Sequence, residues 1–237
     1  MRMATTSNKS RHRDVQGGAA RAAVLGAGDG LLTNVSLILG VAGSTPAPGA
    51  VRIAGIAGLL AGAFSMAAGE LVSVRAHEDL VDHELAIERI EHRTDPAGEQ
   101  DELAHMYRAQ GLAADDAATV ARILSANPEI AFDTHARLEL GVDPSRGGSA
   151  RQAAIASFGA FAVGALIPLV PWFLASGSAA VTASIVAGAL AALVLGATIA
   201  SFSNQPRWRT ALRQLVVAAI AAGVTYAVGR TLGTKIA

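Results

Sequence analysis

The acidic residues of this chain are confined to its middle, and that segregation, more than any other feature, limits how it can fold. Seventeen of the 19 Asp and Glu residues lie between Glu70 and Asp143; the other two are Asp14 and Asp29, and positions 144–237 hold none. A water-exposed surface needs charge along its whole length, whereas a segment facing hydrocarbon excludes it. The flanks are apolar enough for the second case. The 237 residues are 51% hydrophobic and only 16% charged, with a mean hydropathy of +0.40.

Five apolar runs reach the length of about 20 residues that crosses a bilayer. They fall at 22–43, 53–74, 153–174, 179–200 and 211–233. Pro46 and Pro48, Ser176-Gly177-Ser178 and Asn204-Gln205-Pro206 mark turns between them. Trp172 and Trp208 stand at run ends, where interfacial tryptophans belong. The basic residues set the orientation. Five Lys or Arg precede the first run, one (Arg52) follows it, and eight occupy 75–152. None lies in 175–178, and Arg207, Arg209 and Arg213 lie in 201–213. This alternation places the N-terminus and the central region in the cytosol and the C-terminus outside. Arg230 and Lys235 in the C-terminal tail run mildly against it. Gly26 and Gly30, like Gly58 and Gly62, have the small-residue spacing that lets helices approach closely.

The expected fold is therefore an all-α membrane protein. Residues 1–20 read as a polar cytosolic arm, 21–74 as transmembrane helices 1 and 2, 75–146 as a cytosolic helical domain, and 150–237 as transmembrane helices 3–5. The arm precedes an apolar run too long for a signal peptide, and that run contains Asp29. A net charge of zero gives nucleic-acid binding no support, and the absence of cysteine excludes thiolate metal sites and disulfides. The second span should continue as helix to about residue 93. Asp95-Pro96 then starts a helix that Gly111 ends, and further helices follow over roughly 114–126 and 128–140.

This central region carries donor pairs. Glu88 and Glu91 are three apart on one helix, Glu99 and Glu102 repeat the spacing on the next, and His135 and Glu139 are four apart on another. Carboxylates with an imidazole suit divalent first-row metals such as Fe²⁺, Mn²⁺ and Zn²⁺. A solvated acidic face is the alternative for any one pair. Five of the six histidines lie here, His77, His83, His92, His105 and His135, and most of them read as surface residues.

Only Asp29 and Glu70 place a carboxylate inside a span, where such groups mark ion or proton paths. At 1.5 Å per residue they lie about 10 Å and about 6 Å from the cytosolic edge, with Met66 at about 12 Å. Asn34 and Ser36 could line the same path, and Pro168 and Pro171 interrupt the third span. A thioether beside carboxylates suits Fe²⁺ better than Mg²⁺ or Ca²⁺.

Three segments resemble signatures of the vacuolar iron transporter family: Asp29-Gly-Leu-Leu-Thr-Asn-Val-Ser-Leu37, Ala61-Gly-Ala-Phe-Ser-Met-Ala-Ala-Gly-Glu70 and Ala165-Leu-Ile-Pro-Leu169. The resemblance covers residue 20 to the end. It implies five transmembrane helices per subunit of a homodimer in the lipid bilayer, with a cytosolic metal-binding domain inserted between spans two and three. It further implies proton-coupled export of Fe²⁺, and of Mn²⁺ in many members, from the cytosol. By the same resemblance Asp29, Met66 and Glu70 line the translocation path, and Glu88, Glu91, Glu99, Glu102 and Glu139 ligate metal. Family members can carry methionines where this chain has His135-Ala136, which leaves the ligand role of His135 open. A bacterial plasma membrane is the expected location. Two other classes compete: a membrane-anchored ferritin-like iron oxidase, which wants two ExxH motifs where this chain has one at Glu102–His105, and a metal buffer or sensor that does not transport.

Overall fold

The computed structural model describes residues 18–44, 47–144, 149–203 and 205–236. The arm ahead of Gly18, the turn residues Pro46 and Asn204, and the expected domain end at 145–146 lie outside the described residues. Regular structure among the described residues is entirely helical: α1 (Gly18–Ser44), α2 (Pro48–Thr94), α3 (Pro96–Ala109), α4 (Ala114–Ser125), α5 (Pro128–Leu138), α6 (Ala150–Leu169), α7 (Pro171–Leu174), α8 (Gly177–Ser203) and α9 (Arg207–Ile236). Five of them, α1, α2, α6, α8 and α9, are long and apolar enough to cross a membrane. The chain divides into two compact units, Met1–Glu70 with Arg151–Ala237, and Leu71–Ala150.

In the first unit small residues set the packing. A Cβ on Gly26 would lie 2.6 Å from the Ser157 carbonyl oxygen, and one on Gly30 would collide with the Phe161 carbonyl. α1 thus lies against the backbone of α6, as the glycine spacing anticipates. Gly62 on α2 faces the Phe161 ring in the same way, and Phe161 packs with Ala63, Ala165 and the partly buried Met66.

α6 carries Pro168 within it and ends at Leu169, and α7 begins at Pro171. Neither proline has an N–H to donate, so carbonyls near the break need other partners. Ser184 Oγ donates to the Pro168 carbonyl at 2.6 Å, and Asn34 Nδ2 to the Ala165 carbonyl at 2.7 Å. Trp172, expected at an interface, is instead fully buried beside Ile38, Val51, Leu169 and Ala180. The interruption makes it part of a core contact rather than a span end, and its carbonyl accepts from Arg52 Nε at 2.6 Å. Trp208 is 65% exposed.

The second unit is made of the C-terminal half of α2 with α3, α4 and α5. α2 runs unbroken for 47 residues, because nothing between Val72 and Arg93 breaks a helix. Asp95 caps α3, its carboxylate accepting from the Gly98 amide at 3.0 Å with Pro96 at the first helical position. Asn127 caps α5 through the Glu129 amide at 3.0 Å, and Pro128 follows. Gly111 (φ 104°) and Gly141 (φ 67°) supply the left-handed conformations at the two turns that end α3 and follow α5. Leu85, Leu103, Ala117, Ala121, Ala131 and Ala136 form a thin apolar interior.

Candidate metal centre

The capped turn after Thr94 starts α3 and brings Glu99 to His92, which itself meets Glu88. The capped start of α5 presents His135 to the same point. Glu88, His92, Glu99 and His135 each offer one donor atom, and these four atoms lie within 4.8 Å of one another. His92 Nε2 is 3.1 Å from Glu88 Oε1 and 3.7 Å from Glu99 Oε2. His135 Nδ1 is 3.2 Å and 3.4 Å from the same two oxygens. Metal bonds of about 2.1 Å hold neighbouring donors roughly 3.0–3.4 Å apart, so the spacing fits a first-row cation.

Three of the four residues are buried and His92 is half-buried. His135 is 0% exposed, Glu88 4% and Glu99 8%. Glu88 Oε1, His92 Nε2 and both nitrogens of His135 are buried without a well-aligned hydrogen-bond partner. Burying such groups unpaired costs several kcal/mol in all, by an order-of-magnitude reckoning of about 1–3 kcal/mol each. A cation at the centre would satisfy them together.

Charge tells the same story. Burial pushes the Glu88 carboxyl up to about 7, and the nearby Glu139, Glu99, Glu91 and Glu102 add to the rise. Burial, with Glu102 next, also raises Glu99 and Glu139. Burial lowers His92 and His135 below the usual imidazole range, and the His92 ring lowers His135 further. Neutral imidazoles present lone pairs, which is the state a metal ligand needs.

Each donor pair expected from the sequence splits. Glu88, Glu99 and His135 point into the centre, while Glu91, Glu102 and Glu139 are exposed around it. Glu139 is the C-cap of α5, its amide donating to the His135 carbonyl at 2.8 Å, and its side chain is exposed. His92, which is not among the ligands expected from the sequence, is the fourth member of the cluster. The signal was present: His92 is four residues beyond Glu88 and so shares its face.

In the spans, Asp29 is exposed on α1, and Asn34 is fully buried with its Oδ1 unpartnered. Glu70 Oε1 is buried without a hydrogen bond, and the Arg21 guanidinium stands 3.9 Å from it. Met66 packs against the Phe161 cluster.

Comparison with known proteins agrees with the residues. A family model described as VIT family matches residues 20–230. Vacuolar iron transporter 1 of Eucalyptus grandis is 28% identical over 91% of this chain and 87% of its own length. Vacuolar iron transporter 1 of Arabidopsis thaliana is 29% identical over the same shares. The vacuolar iron transporter of Acanthamoeba castellanii is 38% identical over 67% of this chain and 58% of its own length. With five apolar helices around the motifs at Asp29 and Glu70, and a match over nearly its whole length, this chain is an integral membrane protein that belongs to the VIT family.

Proposed function

We propose that the chain is a transporter that carries Fe²⁺, Mn²⁺ or both out of the cytosol in exchange for protons. The observation that carries this reading is the buried, unpartnered donor cluster of Glu88, His92, Glu99 and His135 in a chain whose relatives are named iron transporters. The unit Leu71–Ala150 lies on the cytosolic side in this scheme, as the basic residues favour, with the C-terminus outside. It collects metal there through the inner centre and the surrounding Glu91, Glu102 and Glu139. Metal then passes to a path lined by Asp29, Met66, Glu70 and Asn34 in the spans. Protonation of Asp29 or Glu70 on the return supplies the coupling. A bacterial plasma membrane is the location we favour.

The protein acts as a homodimer in this reading. Leu25, Asp29, Thr33 and Leu37 follow one another at four-residue spacing on α1, and all are exposed. A carboxylate on a lipid-facing stripe is costly, so a second copy covering this face would turn Asp29 toward an aqueous path.

The test is uptake by proteoliposomes offered Fe²⁺, Mn²⁺, Zn²⁺ and Co²⁺ in parallel, with a pH-sensitive dye inside. Metal-dependent proton movement that disappears in Asp29→Asn is expected. Metal flux with no accompanying pH change would remove the coupling, and undiminished flux in Asp29→Asn would remove that residue from the path.

A further inference from the structure

We propose that His92 and His135 make the inner centre a nitrogen-bearing site that ranks its metals, holding Zn²⁺, Co²⁺ and Fe²⁺ ahead of Mn²⁺. This rests on the reading of the four-residue cluster as a metal centre. Imidazole favours the later first-row ions, whereas carboxylate, carbonyl and water suit Mn²⁺, Mg²⁺ and Ca²⁺. An all-carboxylate collector would therefore discriminate weakly among Mn²⁺ and Fe²⁺. Here half of the convergent donors are ring nitrogens.

The two rings meet edge to face with centroids 4.6 Å apart, which lets both nitrogens address the same two carboxylate oxygens. Histidines buried only for packing usually give a ring N–H to a carbonyl or carboxylate. Here His92 Nε2 and His135 Nδ1 converge on the same two oxygens, Glu88 Oε1 and Glu99 Oε2, and neither makes a well-aligned hydrogen bond to them. The Phe132 ring lies edge-on to His92 at 6.3 Å, and the Arg89 guanidinium stacks over that ring at 4.6 Å. This cover, with the burial of Glu88 and Glu99, leaves little room for the several waters that an oxygen-seeking ion keeps. The exposed Glu91, Glu102 and Glu139 offer the contrasting environment, oxygen-only and open to water, where Mn²⁺ is at less of a disadvantage. His92 is the specificity-determining residue, because without it the centre keeps one imidazole against two carboxylates.

The full chain in detergent, stripped of metal and titrated calorimetrically at pH 7.5 with Zn²⁺, Co²⁺ or Mn²⁺ alone, tests this. Mn²⁺ should bind the tightest site roughly 100-fold or more weakly than Zn²⁺, and should fail to displace Co²⁺ at equal concentration. His92→Asp puts an anionic oxygen donor in place of the ring nitrogen. It should narrow the Zn²⁺/Mn²⁺ ratio by about tenfold or more, with Mn²⁺ affinity kept or improved. A residue that merely packs would change all the metals together. Wild-type affinities for Zn²⁺ and Mn²⁺ within about tenfold would overturn the proposal, as would an unchanged ratio in a His92→Asp protein that still binds Zn²⁺. The wild-type competition decides by itself if His92→Asp does not fold. Proteoliposomes that move no metal while the ratio stays large would overturn the transport reading and leave the ranking standing. Fe²⁺ uptake by a protein that binds Zn²⁺ and Mn²⁺ alike would do the reverse.

Discussion

Metal binding to the inner centre should weaken steeply below neutral pH, because one of its ligands holds a proton there. The Glu88 carboxyl sits at about 7 rather than the usual 4.5, raised first by burial and then by Glu139, Glu99, Glu91 and Glu102. A proton and a metal compete for that oxygen. At pH 6 a carboxyl of pKa about 7 is ionised in roughly one molecule in ten, so affinity should be about tenfold lower than above pH 8, or about 1.4 kcal/mol. At pH 5 the loss approaches about 100-fold. Glu99 shifts in the same direction and can only steepen the slope. The imidazoles shift the other way, toward the neutral form, so they compete with metal less than ordinary histidines would. Affinity therefore rises with pH up to about 7 and then levels off. The assay is Co²⁺ calorimetry on the full chain at pH 6, 7 and 8, in two buffers of different ionisation heat, which counts the protons released. Close to one proton should leave per metal at pH 6 and fewer at pH 8. Glu88→Gln should bind more weakly and with a shallower pH dependence. An affinity constant from pH 6 to 8 without proton release would refute the reasoning, since that is how a carboxyl near 4.5 behaves.

His135→Leu should abolish tight binding while leaving the metal-free Leu71–Ala150 unit folded, because an apolar side chain of similar size fills the place of the buried imidazole. Hydrogen exchange across α2, α3 and α5 would report it, and faster exchange in the metal-free variant would contradict it. Gly30→Ala should lower thermal stability in detergent by an equivalent of about 1–3 kcal/mol, since its methyl meets the Phe161 carbonyl on α6; an unchanged melting temperature would show that the crossing yields freely. Glu70→Gln should abolish proteoliposome uptake while Co²⁺ affinity stays within about twofold of wild type, an independence expected of sites that share no partner residue. A matching loss of affinity would mean that Glu70 acts through the centre.

Most of the fold was legible because each element announces itself by local means. The segregation of charge gave five spans, Asp95-Pro96 and Asn127-Pro128 gave the helix starts, and Gly111 and Gly141 the turns. Trp172 was misplaced because a run of apolar residues does not reveal where Pro168 and Pro171 divide it, and the division puts that ring in the interior.

The centre was legible to the level of helical faces but not to the direction a face looks. Successive residues on an α-helix turn by about 100°, so a partner three residues on lies some 60° to one side and a partner four on some 40° to the other. From the sequence, Glu88 can pair either way, with Glu91 or with His92. The pair expected from the sequence is Glu88 with Glu91, and Glu91 is the one in solvent. What decides between them is the side from which α3 and α5 approach, and that is fixed by two caps and two glycines well away from Glu88. The consequence is chemical as well as geometric. Had the helices closed on the other side, the convergent donors on α2 would have been two carboxylates, and the site would have been built of oxygen with His135 as its one nitrogen. Closing on the His92 side, the same sequence gains a second imidazole and, with it, grounds for preferring one metal to another.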